Sequence, residues 1–459
     1  MYFKQITVPG LGCFSYAVGC PGAKAMVVVD PKRDIQDYLD ISREEGMKIT
    51  HIIDTHVHAD HVSGAHELRA ATGAEIMMYE SSPVDFRFSK VAEGQKLEIG
   101  NARMEFMHTP GHTPDALSVL VTDLSRSEEP WMILTGDVLF VGDIGRPDLA
   151  GSEVIEDQVR NLHNTLYNKF AKLPDYLEVF PAHGMGSLCG KGMSSKTSST
   201  LGFERKHNPM LQFTSFDEFH KAMTGDYPAR PKSFTHIIST NKDGAPLLEC
   251  CPLEKALAPE RFAERIQEGT LVIDTRDTAA FGGFHIPGSL NIGFEKQLAN
   301  WVGMVVPPDA DLLLVVEGKD AYDAMTTELH RIGYDRIFGY LSGGISAWLL
   351  SGRDLEKLDQ LSASELRGLT GDKNLNIVDV RTPGEVKGGI IPGAKHTPLT
   401  EVLEKGLALP KDARTVVYCG SGYRSNIAAS ALKKQGYENV HSLAGGITAW
   451  TRAGFPLAE

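Results

Sequence analysis

Thr55-His56-Val57-His58-Ala59-Asp60-His61 decides how the first half of this chain is read. Three histidines and an aspartate crowd into one short stretch. They follow directly on the apolar pair Ile52-Ile53, so a strand hands over to a loop dense in imidazole and carboxylate. That is the layout of a metal site. With no thiolate close by, the donors suit zinc or iron.

The same ending recurs downstream. Met104-Glu105-Phe106-Met107 runs into the turn Thr109-Pro110-Gly111, which presents His112. Trp131-Met132-Ile133-Leu134 ends in Gly136-Asp137, and Glu178-Val179-Phe180 ends in Ala182-His183. Each reads as a strand delivering a His or an Asp at its C-terminal end. Strands sharing one sheet would bring these groups to a single mouth. A lone histidine is more often a satisfied core residue than a ligand, but this repeated context is poorly explained that way. Around these strands, Ala25–Pro31 reads as a buried strand closed by Asp-Pro. Residues 34–45 and 63–72 read as helices, the second ended by Gly73.

The chain has 459 residues, too many for one ordinary core, so several domains are expected. Its formal net charge is −13 and it shows no basic stripe, which argues against nucleic acid as a partner. The start, Met1-Tyr2-Phe3-Lys4-Gln5, lacks the pattern of a signal peptide, and no apolar run is long enough to span a bilayer. A cytoplasmic enzyme with no membrane partner is expected, as a homo-oligomer. The six cysteines form no disulfide framework, which fits a reducing compartment.

Residues 1–245 resemble the metallo-β-lactamase fold, an αββα sandwich, through the His-x-His-x-Asp-His stretch and the later Gly-His, Gly-Asp and Ala-His elements. That superfamily hosts hydrolases and oxygenases, so the fold alone leaves the reaction open. Gly136-Asp137-Val138-Leu139-Phe140-Val141-Gly142-Asp143-Ile144-Gly145-Arg146-Pro147 and Pro181-Ala182-His183-Gly184 followed by Ser187-Leu188-Cys189-Gly190 resemble the persulfide dioxygenases. The resemblance implies one Fe(II) per chain held by His56, His112 and Asp137. It makes His58, Asp60, His61 and His183 supporting groups. The same four would complete a second metal site in a glyoxalase-II-like zinc hydrolase, the rival reading. The resemblance places Arg146 against the carboxylate of a thiol carrier such as glutathione, with a structural salt bridge as the alternative. Cys189 reads as either a redox thiol or an inert buried one.

Asp226–Lys232 and Thr240–Pro246 are rich in Pro, Gly and polar residues, and the boundary of the first domain is expected there. Beyond it the chain repeats at an interval of about one hundred residues, too long for a solenoid. Leu271-Val272-Ile273-Asp274-Thr275-Arg276 matches Ile377-Val378-Asp379-Val380-Arg381. Ser342-Gly343-Gly344-Ile345-Ser346-Ala347-Trp348 matches Ala444-Gly445-Gly446-Ile447-Thr448-Ala449-Trp450. Each copy alternates strands and helices, so each is a small α/β domain with a parallel sheet.

Both copies, 255–355 and 358–459, resemble rhodanese, a sulfurtransferase fold. The second carries Tyr418-Cys419-Gly420-Ser421-Gly422-Tyr423-Arg424-Ser425 ahead of a helix expected to start near Asn426. Backbone N–H groups of such a loop, the helix N-terminus and Arg424 would stabilise a Cys419 thiolate or its persulfide. In the first copy, Glu317 falls near the Cys position, give or take one residue, and no cysteine is available. Asp379 and Arg381 read as structural. The expected protein is an α/β multidomain persulfide dioxygenase and sulfurtransferase. Its substrates would be a low-molecular-weight persulfide and O₂, with sulfite and thiosulfate exchanged through Cys419.

Overall fold

The computed structural model describes residues 1–149, 151, 153–225, 227, 230–248, 255–295 and 297–458. The chain divides into two compact units, Met1–Glu249 with Leu329–Gly333 and Cys250–Glu328 with Tyr334–Glu459. Among the described residues no helix is long and apolar enough to cross a membrane.

The first unit is built on two six-stranded sheets. One holds β1 (Tyr2–Val8), β2 (Cys13–Cys20), β3 (Ala25–Val29), β4 (Lys48–Ile53), β5 (Glu75–Tyr79) and β6 (Ser89–Val91), in that order. β1 to β3 pair antiparallel and β3 to β6 parallel. Parallel neighbours need crossovers, and the helices Gln36–Glu44 and Ala65–Thr72 supply two of them. Gly73 ends the second helix in the left-handed conformation, as its place in the sequence suggests. The other sheet holds β7 (Lys96–Ile99), β8 (Ala102–His108), β9 (Leu117–Asp123), β10 (Met132–Gly136), β13 (Glu178–Pro181) and β14 (Ser199–Thr200). Between β10 and β13 the chain makes a small hairpin, β11 (Leu139–Phe140) with β12 (Asp143–Ile144).

Val18, Val27, Val29 and Ile53 of the first sheet pack against Met104, Phe106, Val119 and Leu134 of the second. Tyr38, Ile41 and Leu68 cover the outside of the first sheet, and Val159, Leu162, Phe170 and Phe219 cover the second. The result is an αββα sandwich. Each large apolar side chain taken fully from water contributes about 1.5–3 kcal/mol, so the facing sheets, buried on both sides, hold the layers in register.

One sequence expectation needs correction. The ligand-bearing strands do not share one sheet: β4 lies in the first, and β8, β10 and β13 lie in the second. The site therefore forms where the ends of two facing sheets meet. The helix Ser233–Asp243 separates the two stretches rich in Pro and Gly, and the chain divides into its two compact units just after them, between Glu249 and Cys250. Asp226, Pro228, Ala229 and the pair Cys250-Cys251 lie outside the described residues.

The second unit contains the repeat. β15 (Ala256–Leu257), β16 (Leu271–Asp274), β17 (Leu290–Asn291), β18 (Leu312–Val315) and β19 (Ile337–Leu341) form an all-parallel sheet ordered β15-β19-β18-β16-β17. β20 (Gln360–Leu361), β21 (Asn376–Asp379), β22 (Ala394–His396), β23 (Thr415–Tyr418) and β24 (Val440–Leu443) repeat that order as β20-β24-β23-β21-β22. The repetition reaches single bonds. Arg276 pairs with Asp274 and Arg381 with Asp379, while Trp348 and Trp450 donate from Nε1 to Asp354 O and Pro456 O, each at 2.9 Å.

Sheet register fixes the missing cysteine's place. Asp274 pairs with Val315 and Asp379 with Tyr418, so Val316 rather than Glu317 is the counterpart of Cys419. The helix after Cys419 also starts at Tyr423, earlier than expected, with Gly422 as its left-handed N-cap. A Gly-rich run reads as loop in sequence, yet Gly422 is the cap and the polar residues behind it form the first helical turn.

Candidate metal centre and cysteine loop

β4 carries the chain into the histidine loop, which is fixed from beneath by Asp30. That residue ends β3 and accepts from Thr55 N at 2.7 Å, Thr55 Oγ1 at 2.9 Å and His58 Nε2 at 3.1 Å. Asn241 holds the loop from above, donating from Nδ2 to His58 O and His61 O, each at 2.9 Å. Both residues went unread as site residues in the sequence. Asp30 had a signal, since it closes a buried strand as His56 and Asp137 follow theirs. Asn241 had none.

His56, His112 and Asp137 come together as expected, with all their donor atoms within 4.8 Å of one another. His112 Nε2 lies 3.4 Å and His56 Nε2 3.9 Å from Asp137 Oδ2. Ligands about 2.1 Å from a common ion stand about 3–3.5 Å apart, so little movement would seat one. His56 Nε2 and Asp137 Oδ2 are buried without a hydrogen-bond partner, a costly condition that an ion would relieve. The other nitrogens are anchored. His112 Nδ1 donates to Arg146 O at 2.8 Å, and His56 Nδ1 meets Thr55 Oγ1 at 3.0 Å, turning each Nε2 lone pair inward.

The electrostatics agree with a ligand-ready set. Burial holds His56 well below the usual histidine range, helped by His58, and burial likewise lowers His112. Burial would raise Asp137, but His183, then His112 and His56, keep it below the usual carboxylate range. Two neutral imidazoles thus face a charged carboxylate. Gly145 lets the loop close over them: a Cβ there would stand 1.8 Å from Asp137 O.

The remaining residues of the loop form a hydrogen-bonded chain behind this triad. His183 Nδ1 lies 2.5 Å from Asp137 Oδ1, and His183 Nε2 lies 2.7 Å from Asp60 Oδ2. Cys13 Sγ donates to the same Asp60 oxygen at 3.0 Å, and Asp60 Oδ1 meets His61 Nδ1 at 3.2 Å. Cys13, on β2, was not read from the sequence as part of the site. His58, Asp60 and His61 also satisfy the spacing of a donor cluster, and His58 Nδ1 and His61 Nε2 are buried without partners.

Arg146 and Cys189 take less active places than the sequence offered. Arg146 is buried and donates to Asp148 through Nε and Nη2, both at 2.6 Å, with its guanidinium 4.9 Å from the Tyr227 ring centre. This fork on Asp148 has the geometry of the salt-bridge alternative. Cys189 is buried beside Asp137 and His183. Burial pushes its thiol well above the usual range, with His183 opposing. A redox thiol needs thiolate character and access, and the burial of Cys189 works against both.

In the second unit, β23 delivers Cys419 into the turn Gly420-Ser421-Gly422. Gly422 N donates to Cys419 Sγ at 3.2 Å, Ser425 Oγ stands 3.7 Å from that sulfur, and Ser442 donates to Ser425 at 2.9 Å. The Ala444-Gly445-Gly446 turn grips the loop from behind, with Ile447 N donating to Cys419 O and Thr448 N to Gly420 O. A Cβ on Gly446 would sit 2.4 Å from Cys419 O, which explains the Gly-Gly pair. Arg424 is not a free charge. It makes a two-pronged bond to Glu385, at 2.7 and 2.6 Å, and Glu385 was not anticipated. Ser421 is exposed at the loop's tip.

The comparisons with known proteins follow this division. The model of the metallo-beta-lactamase superfamily matches residues 8–183, and that of the rhodanese-like domain matches 258–351 and 362–453. The mitochondrial persulfide dioxygenase ETHE1 of Mus musculus is 27% identical over 244 residues, 52% of this chain and 86% of the relative. A sulfurtransferase of Allochromatium vinosum is 39% identical over 103 residues, 22% of this chain and 94% of the relative. The crystal structure of a metallo-beta-lactamase from Staphylococcus aureus subsp. aureus COL superposes with a TM-score of 0.67 at 31% identity, covering 74% of this chain and 98% of that one. The chain belongs to the metallo-β-lactamase superfamily through its first part and to the rhodanese-like family through its two C-terminal domains.

Proposed function

We propose that the chain oxidises low-molecular-weight thiol persulfides with O₂ at a single Fe(II) site and moves sulfane sulfur through Cys419. The observation that carries this is the pair of sites in one chain: an imidazole–imidazole–carboxylate triad with inward-facing unsatisfied atoms, and a thiol held in an N–H-lined turn. The similarity to a persulfide dioxygenase and to a sulfurtransferase supports the same pairing.

A two-histidine, one-carboxylate set suits non-haem Fe(II), which would supply the one-electron chemistry that lets O₂ react with a closed-shell sulfur. The protein's own part is to hold His56 and His112 neutral and Asp137 charged, and to keep the three in place through Thr55, Arg146 O and His183. Overall, RSSH, O₂ and H₂O give RSH, sulfite and two protons. At the other site the Cys419 thiolate is the sulfur carrier. Its persulfide gives its outer sulfur to sulfite, forming thiosulfate and regenerating the thiolate, and the same step run backwards loads Cys419. The N–H of Gly422 and the helix start stabilise the charge on either sulfur. The domain limits 1–245, 255–355 and 358–459 would separate these functions, with glutathione or a similar thiol as carrier.

One observation favours a second reading. His58 Nδ1 and His61 Nε2 are buried without partners beside Asp60, so a second ion would also be relieving there. Two zinc ions would make the first domain a glyoxalase-II-like thioester hydrolase. Metal analysis of anaerobically purified protein, with O₂ uptake on glutathione persulfide, separates the two. One iron per chain with O₂ consumed is expected. Two zinc ions with thioester cleavage and no O₂ uptake would overturn the dioxygenase reading.

A further inference from the structure

We infer that the Cys-less rhodanese-like copy is a positioning element for the Cys419 loop, acting through Asn291 and Asn426 on the helix that follows the loop. The inference rests on the sulfur-carrier reading of Cys419.

The helix Tyr423–Lys434 is not a surface helix: nine of its twelve residues are buried. Much of what buries it comes from the other copy. Tyr423 Oη donates to Gly293 O at 2.9 Å. Asn426 Nδ2 donates to Asn291 Oδ1 at 2.8 Å, while its Oδ1 accepts from Gln360 Nε2, on β20 of its own copy, at 2.7 Å. Asn291 N donates to Ser430 Oγ at 3.1 Å. Asn291 sits on β17, an edge strand, and edge strands carry unpaired backbone donors that need a cover. The helix is that cover.

Asn291 is itself held rigid. Its Nδ2 donates to Asp274 O and Arg276 O, each at 3.0 Å. Those carbonyls belong to the Asp-x-Arg turn, where Arg276 grips Asp274 as Arg381 grips Asp379. A turn kept in a copy with no nucleophile thus has a use. It orients Asn291, Asn291 orients Asn426, and Asn426 sits in the first turn of the helix whose N-cap, Gly422, donates to Cys419 Sγ.

The repeat is not obeyed in reverse. By register, the counterpart of Asn291 is His396 on β22. His396 likewise bonds the turn, Nε2 to Arg381 O at 2.8 Å, but it is exposed. The clamp therefore runs one way, from the copy without a cysteine to the copy with one.

The test uses the full-length chain. Asn426→Asp keeps the side chain's size and removes its donor to Asn291. Tyr423→Phe removes only the hydroxyl bond to Gly293 and serves if the first variant does not fold. Cys419 alkylation by iodoacetamide, followed by mass spectrometry of its peptide, reads the loop directly. Thiosulfate-to-cyanide transfer reads its use. Alkylation is expected to slow, and kcat of transfer to fall about tenfold with KM for thiosulfate within about twofold, since the contacts order the loop without touching substrate. O₂ uptake on glutathione persulfide should stay unchanged. Asn291→Ala with Asn426→Ala should be no worse than the worse single change, because both cut one link. Unaltered alkylation and kcat in Asn426→Asp and Tyr423→Phe, or double-variant losses that multiply, would overturn the inference. Slowed alkylation in the variants of a protein whose wild type transfers no sulfur would sink the carrier reading and leave the clamp standing.

Discussion

His183 Nδ1 lies 2.5 Å from Asp137 Oδ1, so a residue on β10's end and one just past β13 are joined behind the triad. The opposite nitrogen of His183 meets Asp60, and Asp60 in turn accepts from Cys13. Burial would lower His183, but Asp137 above all holds it well above the usual histidine range. With both nitrogens on carboxylates, His183 is placed to orient Asp137. Removing an outer partner of a metal ligand commonly weakens binding about 10–100-fold. His183→Ala is therefore expected to lower metal affinity by that order, measured by chelator competition followed by elemental analysis. If His183 instead holds a second ion, the variant should lose one of two bound metals and keep the other.

Asn241 makes a separate, structural prediction. Its amide bonds His58 O, His61 O and Ser63 N, and all three lie within the histidine loop. Asn241→Ala would leave two buried carbonyls and one N–H without partners. At about 1–3 kcal/mol for each unsatisfied group, and allowing for partial relief by water, the loss should be about 2–4 kcal/mol. It should appear as an earlier first transition in urea unfolding, with metal affinity reduced as the loop loosens. An unchanged first transition would mean that the loop is held by Asp30 alone.

These two cases show where sequence reading reached its limit. The donors were legible because His56, His112, Asp137 and His183 each follow an apolar strand, a local pattern, and the resemblance to the persulfide dioxygenases singled out the first three. The repeat was legible for the same reason, since Asp-x-Arg and the Gly-Gly turns recur at fixed offsets. Asn241 was not, because its partners lie some 180 residues away in the chain and a polar residue among Pro and Gly looks like linker. Arg146 was read from its motif alone, and nothing local announces that Asp148, two residues on, takes its fork. Val316 lies within the one-residue margin around Glu317 that the sequence left open, and the pairing of Asp274 with Val315 is what singles it out.

The Arg424–Glu385 pair predicts a pH dependence. The hydrogen bonds from Arg424 lead the effects that hold the Glu385 carboxyl at about 2, down from its ordinary value. A carboxylate depressed on folding adds stability that is full above its unfolded pKa and is lost as pH falls through the folded value. The stabilising effect should thus be complete above about pH 4.5 and fade towards about pH 2. Glu385→Gln should lower the thermal midpoint of the second unit near neutrality, with the difference from wild type shrinking across that acid window. Because Glu385 is partly exposed, the shift should be small and should shrink further with added salt. A difference that grew on acidification would contradict the pairing.

Val316 gives the sharpest prediction about the silent copy. It occupies the Cys419 position at the end of β18, fully within the sheet core. Yet the loop that follows is shorter: Gly422 comes three residues after Cys419, whereas the left-handed Gly318 comes two after Val316. In the second copy that spacing lets Gly422 N turn back onto the sulfur at 3.2 Å. With one residue fewer the same ring does not close, and Glu317 adds an exposed carboxylate beside the loop. Negative charge there opposes a thiolate instead of cradling it. Val316→Cys placed in a Cys419→Ser background should therefore restore no thiosulfate-linked transfer, measured as thiocyanate formation. The same protein with one glycine inserted after residue 317 and Glu317→Gly should recover a measurable fraction. Transfer by the Val316→Cys, Cys419→Ser protein without that insertion would show that loop length is not what silenced the first copy.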